Sequence, residues 1–305
     1  MEILKDWQGL APSARGASVA MGNFDGVHLG HQATLNLART DAPLGIVTFE
    51  PHPREFFAPH SPPFRLMNRE ARANRLAKLG VQRLYELPFT AALASLTPEA
   101  FARDVLAQGL GISHVVIGSD FRFGKGRAGA AADLQALGLQ HGFRTTIATI
   151  VQISGQDISS TAIRTALTEG KPRDAAAMLG HWHRIEGEVI HGEKRGRELG
   201  FPTANMSLTG LHLPMFGVYA TRVTVLTGPQ QGTYMGAASL GVRPMFGVNQ
   251  PNLETYLLDF KGDLYGQHLS VALVDYLRPE LKFDGLPALL TQIAADVADA
   301  RKILS

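Results

Sequence analysis

Gly22-Asn23-Phe24-Asp25-Gly26-Val27-His28-Leu29-Gly30-His31 follows the apolar run Ala17–Met21 and precedes a segment of helical character, Gln32–Arg39. The spacing predicts a strand, a tight loop and a helix N-terminus. First-turn backbone N–H groups have no intrahelical partner, and with the helix dipole they favour an anion such as phosphate. Two imidazoles three residues apart, His28 and His31, are expected on one face of that turn, within reach of one polyphosphate. The competing reading is a Gly-rich connection with a structural histidine pair. Three glycines, one aspartate and two histidines in ten positions favour the ligand site.

The chain of 305 residues is long enough for two domains. With 45% apolar and 18% charged residues it reads as globular. Lys plus Arg total 29 against 27 Asp plus Glu, a formal charge of +2, which leaves no broad nucleic-acid footprint. There is no cysteine, so disulfides, thiolate metal sites and cysteine nucleophiles are excluded together. The acid-bearing start Met1-Glu2-Ile3-Leu4-Lys5-Asp6 is unlike a signal peptide, and no apolar run suits a membrane span. A cytoplasmic protein is expected.

Downstream, Leu44–Phe49 reads as a strand ending in Glu50-Pro51-His52-Pro53-Arg54, where the prolines are expected to hold the chain extended and deny it a helix. His52 and Arg54 there face a ligand or decorate a rigid turn. Helical spacing over Asn68–Leu79 and Thr97–Gln108, with strands at Arg83–Leu87 and His114–Gly118, predicts an open parallel α/β sheet. Gly118–Gly129 then packs two aromatics and three cations into one loop. Gly124, Gly126 and Gly129 satisfy G-x-G-x-x-G, yet 144–156 contains no acidic residue to hold a ribose, and no Ser or Thr follows Lys125 as a Walker loop requires. A cationic loop with rings to stack on a planar ligand is what remains. A strand over Thr145–Ile153 leads to Ser159-Ser160-Thr161-Ala162-Ile163-Arg164, where Ser160 or Thr161 is expected to cap a helix.

The helical pattern Pro172–Leu179 stops at Gly180, and a domain boundary is expected near residue 182, dividing 1–182 from 183–305. Extended runs at His183–His191, Gly217–Val225, Thr233–Leu240, Leu253–Phe260 and His268–Leu277 suit a small antiparallel barrel, covered by an amphipathic helix over Leu286–Leu304. Within Gly192–Asn205, glycines every four residues can bring backbone N–H groups to phosphates. Thr203 and Asn205 put their oxygens on one side of an extended backbone, a hard-oxygen pair suited to magnesium. Alternation places Glu254 on the more apolar face of its strand with Tyr256, Leu258 and Phe260, where a carboxylate needs a partner or a task.

The pattern G-x-F-D-G-x-H-x-G-H resembles the nucleotide-binding signature of the bacterial bifunctional riboflavin kinase/FMN adenylyltransferase, also called FAD synthetase. The pattern I-S-S-T-x-I-R resembles its second ATP motif, and G-x-x-x-G-R-x-L-G-F-P-T-A-N its kinase signature. The likeness covers nearly the whole chain. It implies an N-terminal Rossmann-like nucleotidyltransferase domain in which Gly22, Asn23, Phe24, Asp25, His28, Gly30, His31, Ser159, Ser160, Thr161 and Arg164 bind ATP, with His28, His31 and Arg164 catalytic. His52, Arg54, Asp120, Phe121, Phe123 and Arg127 are expected to bind the flavin. In the riboflavin kinase-like barrel, Gly192, Gly196, Arg197, Gly200, Phe201, Pro202, Thr203 and Asn205 are expected to bind ATP, Thr203 and Asn205 to hold Mg2+, and Glu254 to act as base. Two positions depart from the family: Met245 stands where Thr is common, and Tyr256 where His is usual. Substrates riboflavin, FMN and ATP follow, with no nucleic-acid or membrane partner. Rival readings are a working adenylyltransferase alone or a relative for another phosphate ester, a flavin or nucleotide sensor, and an aminoacyl-tRNA synthetase fragment.

Overall fold

The computed structural model describes residues 1–149, 151–153, 156–191, 200–245 and 248–305. The chain divides into two compact units, one of residues 1–62 and 72–158, the other of 63–71 and 159–305.

In the first unit, strands β1 (Glu2–Leu4), β2 (Ser18–Met21), β3 (Leu44–Glu50), β4 (Arg83–Pro88), β5 (His114–Gly118) and β8 (Arg144–Ala148) form one sheet in the order β1-β4-β3-β2-β5-β8, all pairs parallel. The hairpin of β6 (Arg122–Phe123) and β7 (Gly129–Ala130) lies between β5 and β8 in the chain. Strands β2, β3 and β5 are buried along nearly their whole length, as expected of a parallel sheet covered on both faces. Val19, Met21, Val47, Tyr85, Val115 and Ile117 contribute to its core with Phe101, Val105 and Leu106. From β2 the chain winds outward through β3 and β4, then returns to the other side of β2 for β5 and β8. The topological switch point is therefore the carboxyl end of β2, where ligands bind in such sheets.

Three local expectations in this unit are corrected. Pro53 does not hold the chain extended: it is the first residue of a short helix, Pro53–Phe57, whose open first turn needs no N–H from it. The helix expected over Thr97–Gln108 opens at Pro98–Ala100 and continues with π-type hydrogen bonding through Phe101–Leu110 to a left-handed Gly111. Thr145–Ile153 is not one strand, because β8 ends at Ala148 and a hairpin of β9 (Gln152–Ile153) and β10 (Gln156–Asp157) follows.

The second unit is built on an antiparallel sheet of β11 (Arg184–Glu188), β12 (Thr203–Ser207), β13 (Gly217–Val225), β14 (Gly232–Met245), β15 (Val248–Leu257) and β16 (His268–Arg278), ordered β11-β16-β13-β14-β15-β12. An antiparallel bridge from Ile190, just past β11, to Asn205 on β12 brings the outer strands together, so the sheet is a near-barrel. Helix Leu286–Leu304 packs Ala300 and Leu304 on Ala220, Ala237 and Val274, and Arg278 forks onto buried Asp296 at 2.8 and 2.7 Å. Helices Ser160–Thr168 and Pro172–Leu179 belong to this unit as well, sharing a cluster of Leu66, Ile163, Ala166, Leu167, Ala175 and Leu179. Packing thus changes hands at 158–159, whereas residue 182 marks the switch from helical to extended pattern.

Candidate functional site

The loop leaving β2 is strained and closely packed. Phe24 and Val27 have φ of 53° and 45° and are 1% and 0% exposed. A β-branched residue in that region is a genuine outlier, of the kind that clusters at functional sites. The Val27 carbonyl accepts from Gln32 Nε2 at 2.9 Å, the Asn23 carbonyl from Thr48 Oγ1 at 3.3 Å, and Gly22 N–H donates to Val47 at 3.1 Å. Helix Leu29–Leu37 follows, earlier than Gln32, and His28 is its N-cap: His28 Nδ1 accepts from His31 N–H at 3.3 Å. That acceptor role puts the ring proton on Nε2.

The two imidazoles stack with centroids 3.7 Å apart and planes 20° off parallel. Phe24, expected to bind ATP, is buried and supports the His31 ring from 4.9 Å. A Cβ on Gly30 would stand 3.1 Å from His28 Cε1 and Nδ1, close enough that the ring would have to give by a few tenths of an ångström. Burial first, and His28 second, hold the His31 ring well below the ordinary imidazole pKa. Its Nδ1 is buried and has no hydrogen-bond partner among the described residues, an orphan polar atom at the switch point of the sheet. Asp25 is likewise buried.

Two further loops leave the same carboxyl edge. After β3, His52 caps Pro53–Phe57, its Nδ1 accepting from Arg54 N–H at 3.0 Å while Glu55 accepts from His52 N–H at 3.2 Å. The sequence had offered His52 as a ligand group, and the structure gives its ring this capping task. Arg54 is exposed. Rings unforeseen in the sequence gather here: Phe56, Phe57 and Phe89 meet edge to face at 5.2 to 5.8 Å, Phe49 lies 5.7 Å from Phe89, and Phe57 is 70% exposed. After β5, Asp120 and Arg127 are exposed and Phe121 is half-buried. Phe123 departs from expectation, because it is buried against Phe101 at 5.8 Å, stacks under Phe121 at 5.9 Å and belongs to the core.

In the second unit, Ser159, not Ser160 or Thr161, caps helix Ser160–Thr168, accepting from Ala162 N–H at 3.1 Å. Ser160 and Thr161 occupy the first turn. One turn on, Arg164 donates from Nε to the Phe64 carbonyl at 2.6 Å and lies 5.4 Å from the centre of the Phe64 ring.

On the barrel, ladder register aligns Asn205, Glu254 and Ser239 across β12, β15 and β14, with Thr203 opposite Tyr256. Thr203, Asn205 and Glu254 therefore share one face. That face is not the core side expected for Glu254: Leu253, Thr255 and Leu257 point inward, and Glu254 and Tyr256 are half-buried on the other side. Buried Asn205 accepts at Oδ1 from Asn252 Nδ2 at 2.8 Å, which fixes its amide and leaves the second lone pair of that oxygen. Thr203 and Asn205 line a cavity of about 210 Å³ with Pro202, Lys261, Asp263 and Tyr265. No motif in the sequence marks Lys261 or Asp263 as site residues; the Lys-Gly-Asp turn after a strand is the available signal. Gly200 has φ of 82°, and Phe201 meets Tyr256 edge to face at 5.3 Å. Gly192, Gly196 and Arg197 lie outside the described residues, as does the Met245 side chain. Among the described residues no group of three His, Cys, Asp or Glu could hold a metal.

A family model described as FAD synthetase matches residues 10–162, and one described as riboflavin kinase matches residues 179–304. Bifunctional riboflavin kinase/FMN adenylyltransferase from Pseudomonas fluorescens is 41% identical, covering 99% of this chain and 98% of its own. The protein of that name from Escherichia coli K12 is 37% identical over 99% and 97%. A crystal structure described as a macrolide-efflux protein from Streptococcus pneumoniae has a TM-score of 0.83 and 31% identity over 98% of both chains. Its likeness speaks here for the fold. Among the described residues no helix is long and apolar enough to cross a membrane. With both family models matched in chain order and full-length relatives above 35% identity, the chain belongs to the bifunctional riboflavin kinase/FMN adenylyltransferase family and makes FMN from riboflavin and FAD from FMN.

Proposed function

We propose that residues 1–182 carry the adenylyl transfer and residues 183–305 the phosphorylation, with ATP as donor in both. The orphan Nδ1 of His31 carries the first assignment: a buried polar atom at a sheet switch point is unsatisfied until a ligand arrives. An oxygen of the FMN phosphate attacks the α-phosphorus of ATP in line. The new P–O bond forms as the bond from the α-phosphorus to its bridging oxygen breaks, and pyrophosphate leaves with that electron pair. The nucleophile is already an anion, so no base is required. Catalysis is positioning and charge stabilisation, supplied by His28 Nε2–H, His31 and first-turn N–H groups not used by the His28 cap. Ser159, Ser160, Thr161 and Arg164 are assigned to ATP binding for adenylyl transfer on their motif. The exposed Phe57 edge, with Phe56, Phe89 and Phe121, offers the flavin ring a stacking surface, and Arg54 and Arg127 offer its phosphate a charge partner.

In the barrel, the Glu254 carboxylate accepts the proton of the riboflavin 5′-hydroxyl as that oxygen attacks the γ-phosphorus of ATP, and ADP leaves. Thr203 and Asn205 fit a magnesium site of the kind completed by ATP oxygens and water, since two neutral oxygens facing one cavity suffice there. Bound magnesium would neutralise phosphate charge during transfer. The substrates are small molecules, with no nucleic-acid partner, and the working compartment is the cytoplasm. Glu254→Gln keeps shape and hydrogen bonding but removes the base. It should abolish FMN formation from riboflavin while FAD formation from supplied FMN stays within about twofold; FMN formation persisting near the parent rate would remove Glu254 from this role.

A further inference from the structure

The connection from β12 to β13, residues 208–216, does more than join two strands of the kinase barrel. Leu211 forms a parallel bridge with Arg65, and His212 N–H donates to the Arg65 carbonyl at 2.8 Å. The neighbouring carbonyl, that of Phe64, is the acceptor for Arg164 Nε at 2.6 Å. The same connection reaches the helix that bears Arg164. His212 Nε2 lies 3.1 Å from both the Arg164 carbonyl oxygen and the Thr168 hydroxyl, and Met215 N–H donates to the Leu167 carbonyl at 2.9 Å. Thr168 Oγ1 donates to the Arg164 carbonyl at 2.9 Å. Since a carbonyl oxygen only accepts, the proton of His212 is on Nε2. Burial holds this ring below the usual imidazole pKa, partly offset by its bond to Arg164, so it is neutral at pH 7.

Arg164 is thus gripped at both ends: its guanidinium through the Phe64 carbonyl, its backbone through the imidazole. Both grips converge on Leu211 and His212, whose sequence lies in the kinase half. We infer that His212 is a positioning residue for adenylyl transfer, holding Arg164 in its working place from a loop that belongs to the other activity. A displacement of about an ångström in such a phosphate-binding arginine is enough to slow a reaction that depends on positioning. The inference rests on the assignment of Arg164 to that reaction.

The test uses the whole chain with four variants, His212→Ala, His212→Gln, Arg164→Ala and the double variant His212→Ala, Arg164→Ala, and measures FAD formation from FMN and FMN formation from riboflavin in the same preparations. His212→Ala should lower kcat/KM for adenylyl transfer about tenfold, the loss of one net hydrogen bond, with kinase kcat/KM within twofold. His212→Gln, whose amide N–H can replace Nε2–H, should recover most of the loss. In an Arg164→Ala background, His212→Ala should cost nothing further, because the residue acts through Arg164. Equal loss of both activities, no rescue by Gln, or an undiminished effect in the Arg164→Ala background would overturn the inference. Should Arg164→Ala itself leave adenylyl transfer intact, the assignment of Arg164 falls and the inference with it. A damaging Arg164→Ala beside a silent His212→Ala overturns the inference alone.

Discussion

Gly30 and His28 show how much a single position can decide. The helix could accept alanine at residue 30, where propensity favours it by about 1 kcal/mol. The added Cβ, 3.1 Å from the His28 ring, requires that ring to give by a few tenths of an ångström and so disturbs its stack on His31. Gly30→Ala should leave the melting temperature and the kinase rate nearly unchanged while slowing FAD formation at least fivefold, and paired steady-state assays would show it. The sequence disclosed the identity of these residues but not their tasks. That His28 caps, that Phe24 props and that His31 keeps a nitrogen without a partner among the described residues depend on a loop whose positive φ values no alternation or spacing reveals. The face of Glu254 is hidden in the sequence for a related reason. Both faces of its strand carry apolar residues, and only pairing with β12 and β14 decides which one looks inward.

Among the elements, the parallel strands were the most legible, because continuous apolar runs bounded by turns are what a doubly covered sheet demands. Strand β12 was recognised through Thr203 and Asn205 as extended backbone, and β1, three residues at the sheet edge, gave no pattern to read. Pattern and structure part where one residue has two structural uses. Proline is the usual helix breaker, yet Pro53 is a helix initiator. In sequence Phe121 and Phe123 look like a pair on a loop, yet the two-residue strands β6 and β7 turn Phe123 into the core, under a Gly129 whose Cβ would come within 2.7 Å of the ring. The segment 63–71 was equally hidden: its residues pack with 159–305 through contacts such as Asn68 Nδ2 to the Glu186 carbonyl at 2.7 Å, far away in sequence.

At the scale of the whole molecule, buried imidazoles couple folding to pH. Burial holds His31, His114 and His183 below the usual value, His183 at about 3 with His181 and His212 adding to the effect. A depressed histidine pKa means that between about pH 6.5 and the folded value the unfolded chain binds more protons than the folded one. Stability is therefore intact above pH 6.5 and falls as acid is added, by about 1.4 kcal/mol per pH unit for His183 alone. Urea midpoints measured at pH 7.5, 6.0 and 5.0 should decline in that order, and His183→Asn should reduce the dependence by about one proton; midpoints that stay level from pH 7.5 to 5.0 would contradict the assignment of neutral buried rings.

The claim at the centre of the account is that the histidine pair at the end of β2 stabilises charge in adenylyl transfer. Asparagine is a strong N-cap, so His28→Asn preserves the cap while removing the ring. The double variant His28→Asn, His31→Ala should be assayed for FAD formation at saturating ATP and FMN, with FMN affinity and kinase turnover read on the same protein. A fall of about a hundredfold or more in FAD formation, with FMN affinity and kinase turnover within twofold, is the predicted result. FAD formation within threefold of the parent, or a parallel loss of FMN affinity and kinase turnover, would contradict it.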